Sequence, residues 1–104
     1  RWILPKGWPI EGKTGGETAL QEAWEEAGVK DGDVAKAPVG TYPTIKRTDE
    51  GPELHCDMTV YAVQVKDVAN DFPECETRER RWVSFDEATK LVDDDGLRDI
   101  LAAF

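Results

Sequence analysis

Three glutamates with a spacing suited to metal chemistry lie in the stretch QEAWEEAGV: Glu22, Glu25 and Glu26. Positions i, i+3 and i+4 share one face of a helix, where like charges cost about 0.2–0.5 kcal/mol per pair. Carboxylate oxygens are the ligands that Mg²⁺ and Mn²⁺ prefer, and a bound cation would remove the repulsion. The cluster therefore has two interpretations, a solvated acidic face or a site for a divalent cation.

Basic residues gather at two places in an otherwise acidic chain. The net charge is −9, from 22 acidic and 13 basic residues, and this balance disfavours binding along the phosphates of a nucleic acid. The basic places are Lys46-Arg47 and the run RERR, which begins at Arg78. Their side chains are either solvated surface charges or the lining of a local pocket for a small anion.

The glutamates need a helix to position them, and the flanking residues predict its ends. Thr14 and Glu17 fit a capping box, and Gly28 fits the left-handed residue that follows a last turn. The predicted helix runs to about Ala27, with an apolar stripe formed by Ala19, Leu20, Ala23, Trp24 and Ala27. Because the glutamates lie roughly opposite this stripe, we expect them to face away from the core.

The pattern of the remaining chain predicts strands followed by two more helices. We expect a strand end at residues 1–4, strands at 39–47 and 54–66 joined by a turn at 48–52, and a short strand near 80–83. Ser84 as N-cap predicts a helix through Val92, and the spacing of Leu97, Ile100, Leu101 and Phe104 predicts a last amphipathic helix. This order predicts the α/β class, an α/β/α sandwich with a mixed sheet.

Alternation along the short predicted strand would place Arg78, Arg80 and Trp82 on one face, so that the two arginines point into a shared cleft. Trp24 and Trp82 are core residues by periodicity. Trp8, in a loop rich in Gly and Pro, either covers the core or stacks on a base.

Composition predicts one domain in a reducing compartment. The 104 residues can bury a core, since 39% are hydrophobic, and they contain no apolar run long enough to span a bilayer. Cys56 and Cys75 have no metal-ligand spacing, so we expect free thiols and a cytoplasmic location. The opening RWIL is already strand-like, and we expect further strands upstream of it.

Residues 7–29 resemble the Nudix box, the signature G-x5-E-x7-R-E-U-x-E-E-x-G-U of hydrolases that cleave nucleoside diphosphates linked to another moiety, where U is aliphatic. The matching positions are Gly7, Glu22, Glu25, Glu26, Gly28 and Val29, with Ala23 at the first U. Two positions depart from the signature: Lys13 replaces the first Glu and Gln21 replaces the Arg. The exchange is either a tolerated structural change, since an acid and a base are lost together, or the mark of a site without catalysis.

The flanking stretches RWILPKGW and RERRWVS are similar to the diphosphoinositol polyphosphate and diadenosine polyphosphate phosphohydrolase branch. That resemblance implies Mg²⁺ or Mn²⁺ on Glu22 and Glu26, with the backbone carbonyl of Lys6 completing the metal site. It implies Glu25 as the base that activates water. It also implies that Arg47 and Arg78 grip the polyphosphate. Arg80, on the same predicted strand face as Arg78, is expected to bind the substrate with them.

These expectations favour metal-dependent hydrolysis of a pyrophosphate linkage in a small polyphosphate, with no membrane partner and an undetermined oligomeric state. Two alternatives stay open. An RNA 5′-pyrophosphohydrolase would need a basic track, which the net charge of −9 disfavours. A non-catalytic domain that senses nucleotides or phosphoinositides is favoured only by Lys13 and Gln21.

Overall fold

The computed structural model describes residues 2–47 and 49–104. In chain order, the helices and strands of the described residues are α1 (Gly15–Ala27), β1 (Val29–Val34), β2 (Gly40–Lys46), β3 (Leu54–Val60), β4 (Val63–Val68), α2 (Phe85–Leu91) and α3 (Asp95–Ala103). This mixture of helices and strands confirms the predicted α/β class. The described chain divides into two compact units.

The α1 unit comprises Ile3–Pro38 and Tyr61–Trp82. Helix α1 has the predicted capping box, in which the Glu17 N–H donates to Thr14 Oγ1 (3.2 Å) and the Thr14 N–H donates to Glu17 Oε1 (2.8 Å). The helix ends at Gly28, whose φ of 72° is left-handed and whose N–H donates to the Trp24 carbonyl. Both predicted ends of the helix are confirmed.

Strand β1 follows α1 at once and was not predicted from the sequence. Its sequence VKDGDV contains Gly and two Asp, which are depleted in strands. β1 pairs antiparallel with β4, from Val29 opposite Val68 to Val34 opposite Val63. This pairing stabilises a strand that the local sequence does not predict. The pairing is irregular around Asp31.

The predicted strand at 54–66 is two strands with different partners. β3 pairs with β2, β4 pairs with β1, and the ladder breaks at Tyr61 and Ala62. The prediction joined them because apolar residues occupy both faces across the break, and the sequence gives no turn signal there. The chain passes between the two units at this point.

The second unit, named the α2–α3 unit, comprises Val39–Val60 and Val83–Phe104 with Trp2. Strands β2 and β3 pair antiparallel from Gly40 opposite Val60 to Lys46 opposite Leu54. The bounds of β2 are close to the predicted 39–47. Ser84 and Asp94 cap α2 and α3. Arg98 joins the two helices, because its guanidinium donates to the carbonyls of Thr89 (3.0 Å) and Val92 (2.8 Å). The buried Leu97 and Leu101 confirm the predicted amphipathic helix.

Three local predictions are wrong. Residues 2–4 and 80–83 have no regular secondary structure, and Trp82 is 61% exposed and so not a core residue. Neither segment finds a strand partner within the described ranges. Trp8, for which two interpretations stayed open, is 56% exposed. Arg1 and Thr48, which belong to the predicted strand end and the predicted turn, lie outside the described residues.

Both cysteines are free and partly buried, as predicted. No helix among the described residues combines the length and the apolar character that a membrane span requires.

Candidate metal and phosphate site on helix α1

The glutamate face of α1 is covered, which the sequence pattern did not predict. Glu26 is only 7% exposed, and Glu22 and Glu25 are partly buried. The segment before the helix folds back over this face, so that the Lys6 N–H donates to Glu26 Oε2 at 3.0 Å. The expectation that all three glutamates face away from the core is therefore wrong for Glu26. The amphipathic pattern of a helix shows which of its faces is apolar. It does not show whether another segment of the chain packs on the polar face.

Glu26 lies between a carboxylate neighbour and two donors. Besides the Lys6 N–H on Oε2, its Oε1 forms an ion pair with Arg78 Nη2 at 3.0 Å. Burial, and after it a hydrogen bond with the Glu22 side chain, raise the pKa of Glu26 to about 7, although the Lys6 N–H and Arg78 oppose the shift. Glu22 and Glu26 thus form an adjacent pair of carboxyl groups in a place where charge is costly.

Glu22 depends on the glycine at position 7. A Cβ built on Gly7 would overlap Cδ and Oε1 of Glu22, so the glutamate side chain occupies the space that this glycine leaves. Gly7 has no positive φ, and its backbone conformation is therefore open to other residues. Glycine is therefore required at position 7 because a larger side chain would collide with Glu22, and not because of its backbone φ.

The pair Glu22 and Glu26 fits a hard divalent cation in the chemistry of its donors. Both offer carboxylate oxygens, the backbone of Lys6 lies beside Glu26, and Mg²⁺ commonly completes its shell with waters and substrate phosphate oxygens. Over residues 2–47 and 49–104, no group of three or more His, Cys, Asp and Glu is arranged to hold a metal ion. The donor set is therefore a pair of carboxylates rather than a closed cage.

Glu25 is held differently from its two neighbours. Its carbonyl accepts a hydrogen bond from the Glu74 N–H at 3.0 Å. Its carboxylate makes no hydrogen bond or ion pair with the residues that the structure describes. This leaves the Glu25 oxygens available to accept a proton or a hydrogen bond from water.

Arg78 reaches the carboxylate pair from a turn that follows Phe72. Its Nε donates to Glu74 Oε1 at 3.1 Å while Nη2 pairs with Glu26, and 40% of its side chain is exposed. The guanidinium therefore borders both the buried carboxylate and solvent. Sequence reasoning missed the role of Glu74 in holding it, since only the turn brings positions 74 and 78 beside α1.

Arg80 lies elsewhere than the predicted strand face. Its Nη1 donates to the carbonyls of Ala27 (2.9 Å) and Ala69 (2.7 Å), and its Nη2 donates to Asn70 Oδ1 (2.9 Å). The guanidinium also lies over the ring of the buried Phe72, 5.4 Å from its centroid. Arg80 thus bonds to the end of α1 and contacts residues 69–72.

The other predicted residues lie on the surface. Arg47 belongs to the α2–α3 unit, where its side chain is 80% exposed and pairs with Glu53 at 3.6 Å. The side chains of Lys6 and Lys13 are exposed, and Gln21 is partly buried. Neither Lys13 nor Gln21 bonds to Glu22 or Glu26 in the described part of the chain. These two departures from the signature therefore leave the carboxylate pair in place.

Comparison with known proteins identifies the family. The family model of the NUDIX domain matches residues 1–104. Nudix hydrolase 16, mitochondrial, of Arabidopsis thaliana is 32% identical over 102 residues, which cover 95% of this chain and 56% of that protein. Nudix hydrolase 12, mitochondrial, and Nudix hydrolase 4 of the same plant are 34% and 33% identical, over 86% and 98% of this chain and 45% and 47% of those proteins.

The chain thus spans about half the length of these curated relatives. No solved structure matches it. With the signature glutamates on α1 and the family match over residues 1–104, the chain belongs to the Nudix family.

Proposed function

We propose that this chain catalyses the hydrolysis of a pyrophosphate linkage with the help of Mg²⁺ or Mn²⁺. The observation that carries the proposal is the covered pair Glu22 and Glu26, which meets the Lys6 backbone on one side and Arg78 on the other. The match of the family over residues 1–104 supports it and supports treating those residues as one Nudix domain. The two free cysteines support a reducing compartment, for which we keep the cytoplasm as the proposal.

Glu22 and Glu26 would hold the metal, with the backbone of Lys6 beside them. When bound, the ion supplies positive charge that neutralises the two carboxylates and lowers the pKa of water. Glu25 takes the proton of the attacking water, whose oxygen forms a bond to phosphorus. The bond from that phosphorus to the bridging oxygen breaks, and the leaving phosphate keeps the electron pair.

Arg78 would bind a phosphate of the substrate. Its guanidinium has a partly exposed edge, and charge-assisted bonds from arginine to phosphate are strong and directional. The exposed Lys6 side chain, in the same unit, is a further cation for a long phosphate chain. A dinucleoside polyphosphate or a diphosphoinositol polyphosphate is therefore the proposed substrate class.

The pair Glu25→Gln and Glu26→Gln tests the assignment of roles. Glu25→Gln should lower kcat about 10²–10⁴-fold while Mn²⁺ affinity is retained, because it removes the base only. Glu26→Gln should lower both kcat and Mn²⁺ affinity, because it removes a ligand. Mn²⁺ binding is measured by electron paramagnetic resonance and kcat by phosphate release. Equal losses of metal affinity in both variants would contradict the assignment of Glu25.

A non-catalytic sensing domain is the alternative of another class, favoured by Lys13 and Gln21. A sensor would bind polyphosphate equally well with Mg²⁺ and with EDTA and would release no phosphate. If the departures are tolerated, Lys13→Glu combined with Gln21→Arg should leave the rate within a few-fold of wild type. A large gain from near-zero activity would instead show that the parent site is silent.

A further inference from the structure

We infer that Arg80 is a positioning residue, which fastens residues 69–80 to the end of α1 so that Arg78 reaches Glu26. The inference rests on the proposed function, since it concerns how the phosphate-binding arginine is held. It replaces the expectation that Arg80 itself contacts the substrate.

The C-terminal end of α1 is contacted by a cation from a distant part of the chain. The last carbonyls of a helix have no partners within the helix and carry partial negative charge. There is no basic residue in the last turn of α1. Arg80 supplies the charge from far along the chain, because its Nη1 donates to the Ala27 carbonyl at 2.9 Å. The approach requires Gly28, where a Cβ would lie 2.8 Å from Nη1.

The same guanidinium holds both ends of the 69–80 segment together. It donates to the Ala69 carbonyl and to Asn70 Oδ1, at 2.7 and 2.9 Å, and it covers the ring of Phe72. Since residues 69–80 form no helix or strand, no ladder of backbone bonds fixes their course. Two backbone bonds to the α1 region assist Arg80: Ala69 N–H to the Gly28 carbonyl (2.8 Å) and Glu74 N–H to the Glu25 carbonyl (3.0 Å).

The position of Arg78 depends on this anchoring, because Arg78 lies in the 69–80 segment and bonds to Glu74 of the same segment. Its N–H donates to the Glu74 carbonyl at 2.9 Å, and its Nε donates to Glu74 Oε1. Glu74 is in turn bonded to α1, so the position of Arg78 Nη2 against Glu26 follows from the position of the turn. If Arg80 bound a phosphate instead, it would have to leave three oxygens that it already satisfies.

Arg80→Lys tests the inference, because lysine keeps the charge but cannot donate to three oxygens from a fixed plane. We expect KM for a long-chain substrate such as diadenosine pentaphosphate to rise roughly tenfold, the equivalent of one lost charge-assisted bond. We expect kcat to stay close to wild type. Hydrogen exchange should show faster exchange of the Glu74 amide, and this measurement does not depend on activity.

The double variant Arg78→Ala with Arg80→Lys separates positioning from direct contact. If Arg80 acts through Arg78, adding Arg80→Lys to Arg78→Ala raises KM no further. Additive effects on KM, or an unchanged Glu74 amide, would overturn the inference. Absence of turnover by wild type on every polyphosphate would refute the proposed function alone, because amide exchange would still test the anchoring.

Arg98→Lys is the matched control. Arg98 also donates to two backbone carbonyls at helix ends, but it lies in the α2–α3 unit. The Arg98→Lys variant should be less stable than wild type but should have an unchanged KM. Should Arg80→Lys fail to fold, Asn70→Ala, which removes only the Nη2 contact, should raise KM in the same direction and loosen the Glu74 amide. An Asn70→Ala variant with wild-type KM and wild-type exchange would overturn the inference.

Discussion

Glu26 shows at the residue scale how a proposed ligand position conflicts with stability. Glu26 is 7% exposed beside Glu22, and its pKa is raised to about 7 from the ordinary 4.5, with burial as the largest cause. A group whose pKa is higher in the folded state stabilises the fold fully below its unfolded pKa and loses that contribution as pH rises through the folded pKa. In the absence of metal, Glu26 should therefore weaken the fold progressively between pH 4.5 and pH 7.

We predict that Glu26→Gln gains stability relative to wild type as pH rises. The amide cannot ionise, so the free energy of unfolding of the variant should improve on that of wild type by about 1–3 kcal/mol between pH 5 and pH 8. Urea unfolding in EDTA at several pH values measures the difference. A difference that is constant with pH would contradict the raised pKa.

Glu17→Gln is the control of opposite sign. Bonds from Thr14 lower the pKa of the Glu17 carboxyl, so its contribution is present above the unfolded pKa and is lost as pH falls through the folded pKa. Glu17→Gln should therefore be less stable than wild type at neutral pH, and the difference in the free energy of unfolding should disappear in acid. Mg²⁺ at pH 8 should stabilise the Glu17→Gln variant and wild type but not Glu26→Gln, because a ligand that binds only the folded state stabilises it.

Gly7→Ala should impair the site while the fold survives. The added Cβ would overlap the end of the flexible Glu22 side chain, which can move away, and the backbone conformation accepts alanine. We expect weaker Mn²⁺ binding and lower kcat with little change in unfolding midpoint. Gly32→Ala is the matched control, because its Cβ would meet Val63 and the Gln64 backbone instead. It should lose stability and keep metal affinity; the same loss of affinity in both variants would mean that Gly7 acts through the fold.

At the scale of elements, the two ends of α1 differ in what they require. The N-terminal cap is made by neighbours in sequence, Thr14 and Glu17. The C-terminal end combines a left-handed glycine with partners distant in the chain, namely the Ala69 carbonyl, Phe72 and Arg80. The second end therefore joins α1 to the segment that carries Arg78.

Gly28→Ala should be far more damaging than Thr14→Ala. At position 28 a Cβ would meet the Ala69 carbonyl oxygen at 2.5 Å and Phe72 at 2.6 Å, in a left-handed conformation that alanine disfavours. We expect a loss of about 2–5 kcal/mol in the free energy of unfolding. Thr14→Ala removes one cap bond and should cost about 0.5–2 kcal/mol. Chemical denaturation compares the two, and equal losses would show that the end of α1 tolerates a side chain.

At the scale of the whole molecule, a chain of net charge −9 would have to attract the proposed anionic substrate through a few cations. Arg78 is the one placed beside the carboxylate pair in the described residues, and Arg47 lies in the other unit. Attraction of this kind is local, because at physiological salt charges are screened over about 8 Å.

We predict that Arg78→Ala raises KM steeply for substrates with four or more phosphates and barely changes it for ADP-ribose. Each charge-assisted contact to phosphate is worth about 1.5–3 kcal/mol, and longer chains make more of them. The effect should weaken as salt is added. Steady-state kinetics over a substrate panel at two salt concentrations measures it, with Lys36→Ala, an exposed basic residue of the same unit, as the control for net charge. If ADP-ribose is the best substrate and Arg78→Ala affects all substrates alike, the polyphosphate assignment is wrong.

The sequence by itself determined the features that depend on near neighbours. The ends of α1, the caps at Ser84 and Thr14 and the bounds of β2 follow from propensity, capping and alternation over a few residues. The signature from Gly7 to Val29 identified the family, because its spacing is a property of one loop and one helix.

Only the tertiary structure decided which groups meet. The burial of Glu26, the break between β3 and β4, and the course of residues 69–80 all depend on segments distant in the chain. Alternation placed Arg78 and Arg80 on one strand face, whereas one pairs with Glu26 and the other binds the end of α1. The physical reason is that carbonyls at a helix end and a buried carboxylate are satisfied by donors that lie near them in space. A pattern along the sequence does not show which distant residues these donors are.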